Sequence, residues 1–252
     1  MTGPTLRPLS LGEVLDAAFA LYRSRFAPLL VIAVVCRVLP ILLAVYFELA
    51  PVSDLLIVLQ LLASLLSLIL VAIAVAASTF VVSDAYLGRE TTAGAALSRA
   101  LPYVVTLVGI SILTSLLVGL GFLLLVVPGL VFLAGFLLSP VVAVIEDQRI
   151  SSDAMRRSWQ LSKGFKGKVL LTMLVATLLL LVPILALSGM GGVLGIELWE
   201  GPVGVLLFVI PLVLQVFVYP FVYVVQTVLY YDLRVRKEGF DLEVLADAMR
   251  EA

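Results

Sequence analysis

Four carboxylates, Asp84, Glu146, Asp147 and Asp232, each close an apolar run, and Arg89, Arg149 and Arg234 follow within a few residues. A carboxylate beside a guanidinium can serve as a general base or form a plain ion pair at a helix end. Their place at the ends of apolar runs favours the ion pair. The chain has no histidine, which excludes imidazole metal sites, histidine-based triads and near-neutral proton relays. Cys36 is the single cysteine, so no intramolecular disulfide can form. No catalytic residue, metal ligand or cofactor site is assigned, and the chain is read as a non-enzyme.

Arg37 is the chemical anomaly, because it lies inside an apolar run that begins near Phe26. At ~1.5 Å per residue it sits about 16 Å deep, at the middle of a bilayer. A charge there costs at least ~2.5–3.5 kcal/mol on insertion scales and calls for an interior partner. The last apolar run offers Gln215, Tyr219, Tyr223, Gln226 and Tyr230 on one helical face, with Tyr219 at the same depth as Arg37. The spacing predicts a polar cluster of Arg37, Gln215, Tyr219, Tyr223 and Gln226, held by amide hydrogen bonds and a cation–π contact of about 2 kcal/mol. Such a cluster is either a structural clasp or a site for an anion or headgroup.

A third group, Arg156, Arg157, Lys163, Lys166 and Lys168 with Trp159 and Met155, has the composition of a headgroup-binding surface, each basic residue contributing ~1 kcal/mol near anionic lipid. Ordinary retention of positive charge on the cytoplasmic side accounts for the same residues.

The elements that carry these residues follow from composition. Hydrophobic residues make up 63% of the chain and charged residues 13%, against ~45–50% and ~25% for soluble domains, so the chain is a polytopic membrane protein. Apolar runs at 27–47, 55–82, 103–126, 129–145, 168–188 and 203–229 predict an all-α bundle of six transmembrane helices in one membrane domain. Val127-Pro128-Gly129 is read as the turn between the third and fourth. Charge supports the even count. Apart from Arg37, every Lys and Arg lies in 1–26, 83–102, 146–168 or the tail 230–252, while the alternate segments carry only Glu48, Asp54, Glu197 and Glu200. The expected topology is multi-pass in the plasma (inner) membrane, with both termini cytoplasmic and no cleaved signal. The net charge of −1 averages two opposed surfaces and gives no reason to expect nucleic acid as a partner.

Three segments before pairs of runs share a pattern: Glu13 to Phe19, Ala95 to Leu101 and Asp153 to Trp159. They predict interfacial amphipathic helices at about 10–25, 92–102 and 152–164, and a threefold repeat of interfacial helix plus transmembrane hairpin. Ser10-Leu11-Gly12-Glu13 reads as a capping box opening the first. The tail from Asp241 places Leu242, Leu245 and Met249 on one face, suited to capping the bundle or docking a protein partner.

Leu6-Arg7-Pro8-Leu9-Ser10-Leu11-Gly12-Glu13-Val14-Leu15-Asp16, the Val127-Pro128-Gly129 turn, Ser158-Trp159-Gln160-Leu161 and the stretch from Tyr230 to Asp241 resemble the membrane-domain family of glycerophosphoryl diester phosphodiesterases. In the enzymes that name that family, catalysis belongs to a separate soluble barrel with histidine and carboxylates around a metal. The resemblance therefore implies the membrane part alone, and no catalytic residue carries over. The expected function is a noncatalytic scaffold, partner subunit or lipid-contacting module whose partners include membrane lipids. A transporter or channel component with a site near Arg37 is the alternative, and an intramembrane enzyme the third.

Overall fold

A computed structural model describes residues 7–51, 53–193 and 201–239, and these residues are all-helical with no strand. The order is α1 (Leu11–Ser24), α2 (Phe26–Leu49), α3 (Asp54–Tyr86), α4 (Ala93–Ala100), a 3-10 turn (Leu101–Tyr103), α5 (Val104–Leu124), α6 (Val126–Phe136), α7 (Ser139–Ile145), α8 (Ser151–Ser162), α9 (Lys166–Val193) and α10 (Gly201–Glu238). Five helical stretches among the described residues are long and apolar enough to cross a membrane: Phe26–Leu49, Asp54–Tyr86, Ala93–Leu124, Val126–Ile145 and Val209–Glu238. The expected tail helix from Asp241, and Glu197 and Glu200, lie outside the described residues.

The helices α2 with α3, α5 with α6 and α9 with α10 form antiparallel hairpins. Their connections gather α1, α4 and α8 at one end, here the basic end; Glu48 and Asp54 mark the opposite, acidic end. The cap of α1 has both bonds of a capping box: the Ser10 amide donates to Glu13 Oε2 at 2.7 Å, and the Glu13 amide donates to Ser10 Oγ at 3.4 Å. Arg7 adds a salt bridge to the same carboxylate. Burial concentrates toward the basic end, where Ala76, Ala77, Val81 and Val82 of α3, Val141 to Val144 of α7 and Val224 to Leu233 of α10 pack together. By contrast, Leu55, Ile57, Leu59, Leu62 and Leu65 of α3 are exposed, as lipid-facing residues are.

Two boundaries differ from the sequence expectation. The reversal between α5 and α6 occurs at Leu125, the one extended residue, and not at Val127-Pro128-Gly129. Pro128 instead occupies the first turn of α6, where an amide hydrogen has no intrahelical acceptor to lose. Gly129 permits the close crossing of α5: a Cβ on Gly121 would lie 2.8 Å from the Gly129 Cα. Second, the last helix does not stop at Leu229 but continues to Glu238. Hydropathy falls after Leu229, yet Tyr230, Tyr231, Asp232 and Leu233 are buried because the basic-end helices surround them.

Candidate functional site

The carboxylates at the ends of the apolar runs are held in ion-pair nodes, buried or half-buried at Asp84, Glu146 and Asp232 and exposed at Asp147. Asp84 at the end of α3 takes a salt bridge from Arg99 of α4 at 2.6 Å and a hydrogen bond from Thr91. Glu146, just after α7, is bonded by Arg157 of α8 at 2.8 Å and by the Tyr230 hydroxyl at 3.0 Å. Arg157 also reaches Glu238 at 2.6 Å. Asp147 accepts from the Tyr103 hydroxyl at 2.7 Å and from Arg149 at 2.6 Å. These donors, Tyr103 first and Arg149 second, hold the Asp147 carboxyl below its ordinary range.

Asp232 is the most buried of the four, its side chain being 0% exposed. It accepts the Leu9 amide at 2.7 Å, a salt bridge from Lys168, and Arg236 Nε at 3.1 Å. Lys168 and Arg236 both donate to the Leu9 carbonyl as well. Of the three arginines expected as partners, Arg149 takes that role among the described residues. Arg234 bonds Glu238 at 3.1 Å, since residues two apart on a helix point to different faces and a residue four apart is reachable. Arg89 contributes its backbone amide to the Asp84 carbonyl at 2.7 Å.

The structure brings Arg37 to the last helix. Its guanidinium carbon lies 4.0 Å from the centroid of the Tyr219 ring, and Tyr223, one turn further along, is buried. The two tyrosines stack with centroids 6.4 Å apart. Gln215 is half-buried. Gln226 departs from the expected cluster: its Nε2 donates to the Leu137 carbonyl at 2.6 Å, at the break between α6 and α7 that precedes Pro140. Two turns along α10 from Tyr219, the same face meets α7 instead of α2. An interrupted helix frees carbonyls in the apolar layer, and an amide side chain from a neighbour satisfies one of them. Nearby, the Tyr22 hydroxyl of α1 donates to the Phe217 carbonyl at 2.8 Å, beside Pro220.

The basic cluster divides between two faces of α8 and the start of α9. Ala154, Arg157, Ser158 and Leu161 face inward, Arg157 into its ion pairs and Ser158 Oγ onto the Gly135 carbonyl at 2.7 Å. Lys168 belongs to the Asp232 node. Arg156 and Lys163 face outward; the Arg156 side chain is 75% exposed and pairs with Asp153 at 3.7 Å. Lys166 Nζ lies 3.0 Å from the centroid of the Trp159 ring.

The other face of α8 roofs a lateral groove of about 510 Å³ between α5 and α6. Ser152, Met155, Arg156, Trp159 and Gln160 occur at one helical spacing and line its upper wall; Leu113, Leu117, Phe132 and Phe136 line the rest. Trp159 is fixed there by Phe132 and Phe136, with centroids 6.0 and 5.3 Å away, and by the absence of a side chain at Gly135, where a Cβ would collide with the indole. The groove was not legible from the chain, because its walls depend on how α8 packs across the α5–α6 hairpin, which a single sequence does not record. The mixture of Arg156 with Trp159 was the one signal of it.

No family model, curated protein or solved structure matches this chain. Its functional reading therefore rests on these contacts.

Proposed function

We propose that the chain is a noncatalytic integral membrane module that binds a lipid with an anionic headgroup in the groove beneath α8. The carrying observation is an apolar lateral opening whose polar rim is cationic: Arg156 stands 75% exposed above walls of Leu113, Leu117, Phe132 and Phe136. Acyl chain in the groove and phosphate at Arg156 match the chemistry of the two parts. The carboxylates that a hydrolytic enzyme would use are engaged instead by Arg99, Arg157, Arg149 and Lys168.

In this reading α9, a helix of 28 residues, is the sixth crossing, α1, α4 and α8 lie in the headgroup layer, and the basic end faces the cytoplasm of a bacterial-type inner membrane. The threefold repeat is supported by burial at matched positions. Val14, Ala96 and Ala154 are fully buried, as are Ala18, Ala100 and Ser158. Arg99 and Arg157 also match, and each pairs with the carboxylate that ends the preceding hairpin. The first copy has Ala17 there, and the corresponding carboxylate, Asp232, takes Lys168 and Arg236 in its place. The likeness to the phosphodiesterase membrane domains enters here as part of the same proposal.

Native mass spectrometry of the detergent-extracted protein tests the reading. Retention of phosphatidylglycerol over phosphatidylcholine, weakened by Arg156→Ala, is expected. Equal retention of both, unaltered by Arg156→Ala, overturns it. Passage of a solute past Arg37 is the second reading, favoured by one crevice of about 390 Å³ between α2 and α3 that is lined by Glu48, Gln60, Ser64 and Ser67 and reaches Pro40, one turn from Arg37. Cysteine labelling from the acidic side at Ser67→Cys, but not deeper, is the result expected if the crevice ends there.

A further inference from the structure

A second apolar groove lies on the other flank of α6. It has a volume of about 550 Å³ and is walled by Leu130, Leu133 and Leu137 of α6 and by Leu170, Leu171 and Leu174 of α9. On α6, the triplet 130, 133, 137 and the pair Phe132, Phe136 fall on different faces, so the helix separates the two grooves as a partition. Both open laterally under the same basic corner. Lys166 stands at that corner: its ammonium rests on Trp159, which lines the first groove, and its neighbour Gly167 lines the second. Among the described residues Lys166 has no ion-pair partner, and Arg156, which lines the first groove with Trp159, pairs with Asp153 at 3.7 Å. Two apolar slots of similar size, divided by one helix and topped by two cations beside a tryptophan, Lys166 without an ion pair among the described residues and Arg156 in a long, exposed one, match the form of a two-chained anion.

Resting on the lipid-binding reading above, we infer that the ligand is a diacyl phospholipid of net negative charge that straddles α6, one chain in each groove, its phosphate between Arg156 and Lys166. A single-chain lipid fills one groove only and leaves the second to bulk lipid. Trp159 then acts as a positioning residue, supporting Lys166 from below and closing the first groove from above.

The test compares palmitoyl-oleoyl phosphatidylglycerol with palmitoyl lysophosphatidylglycerol on the full chain in detergent, read by native mass spectrometry and competition. The diacyl lipid is expected to be retained at least about tenfold more tightly, because a second chain adds many buried methylenes. Leu174→Trp and Leu130→Trp narrow the second groove from positions already facing lipid; each should reduce diacyl retention toward the lyso value and leave lyso retention unchanged. Leu113→Trp, in the first groove, should reduce both. Lys166→Gln should weaken both lipids and leave phosphatidylcholine unaffected. Equal retention of the diacyl and lyso lipids, with sensitivity to Leu113→Trp alone, overturns the straddling arrangement and leaves the single-groove reading standing. Retention of neither lipid overturns both.

Discussion

The basic and acidic halves of the bundle are built on different principles. At the basic end, side chains from α4, α8, α9 and α10 and the backbone of Leu9 converge on Asp84, Glu146 and Asp232, and the residues around them are buried. Toward the acidic end, the hairpin α2 with α3 exposes leucine after leucine, and Gln60 and Ser64 line an open crevice. In hydrocarbon, exposing apolar side chains costs nothing, so helices there need not be tied to one another. Polar groups at a buried end have no such freedom and must be paired. The contrast teaches that the tertiary specificity of this chain resides in its ion-pair layer, and that its apolar length serves mainly to span.

Removing a central carboxylate is the most damaging way to probe that contrast. Asp232→Asn leaves Lys168 and Arg236 without their buried counter-charge and should cost ~3–5 kcal/mol, read as a large fall in thermal unfolding temperature in detergent. A loss below ~1 kcal/mol would remove the distinction between the halves. Next in size is Gly135→Ala, which drives a methyl into the Trp159 ring. Overpacking of this kind costs ~1–3 kcal/mol, and it should also change the Trp159 fluorescence and weaken lipid retention.

Arg37→Met sharpens the comparison from within the membrane. The cation–π contact with Tyr219 contributes up to ~2 kcal/mol, and the charge itself costs ~2.5–3.5 kcal/mol to hold at that depth. The balance predicts a variant as stable as the parent or more so by about 1 kcal/mol. Marked destabilisation would show that Arg37 holds something besides the tyrosines. At the acidic end, Leu62→Ala on the exposed face of α3 should fall within ~0.5 kcal/mol.

The smallest effect concerns pH. Arg7, with help from the Ser10 backbone, lowers the Glu13 carboxyl to about 2. A depressed carboxylate contributes stability that is complete above its ordinary range and is lost as pH falls through the folded value. Stability should therefore decline between about pH 4.5 and 2, and Arg7→Ala should move the Glu13 titration upward in a site-resolved NMR measurement. At this exposed position, high salt should blunt the effect.

How far the sequence foretold these features depended on whether the relevant partners share a helix or a depth. The α1 cap was legible because Ser10 and Glu13 are local. The meeting of Arg37 and Tyr219 was legible because both lie eleven residues from the basic ends of their runs, and a bilayer turns equal counts into equal depth. Gln226 shares the face of Tyr219, but the neighbour that its face meets changes along α10, which no periodicity records. Composition makes the basic cluster one group, whereas the rotation between Arg156 and Arg157 sends one to the groove and the other into the protein. Partners such as Lys168 for Asp232 depend on which helices adjoin, and a single sequence does not contain that information.

The amide of Leu9 is bound by a carboxylate 223 residues later. During synthesis at ~5–20 residues per second, the N-terminal segment therefore waits for α10 to emerge before its anchor exists. Until then Lys168 has entered the membrane layer ahead of its counter-charge. Arrival of α10 is thus itself the latch: truncation before α10 should leave α1 undocked and expose a nascent product to quality-control proteolysis, even with the earlier hairpins already inserted.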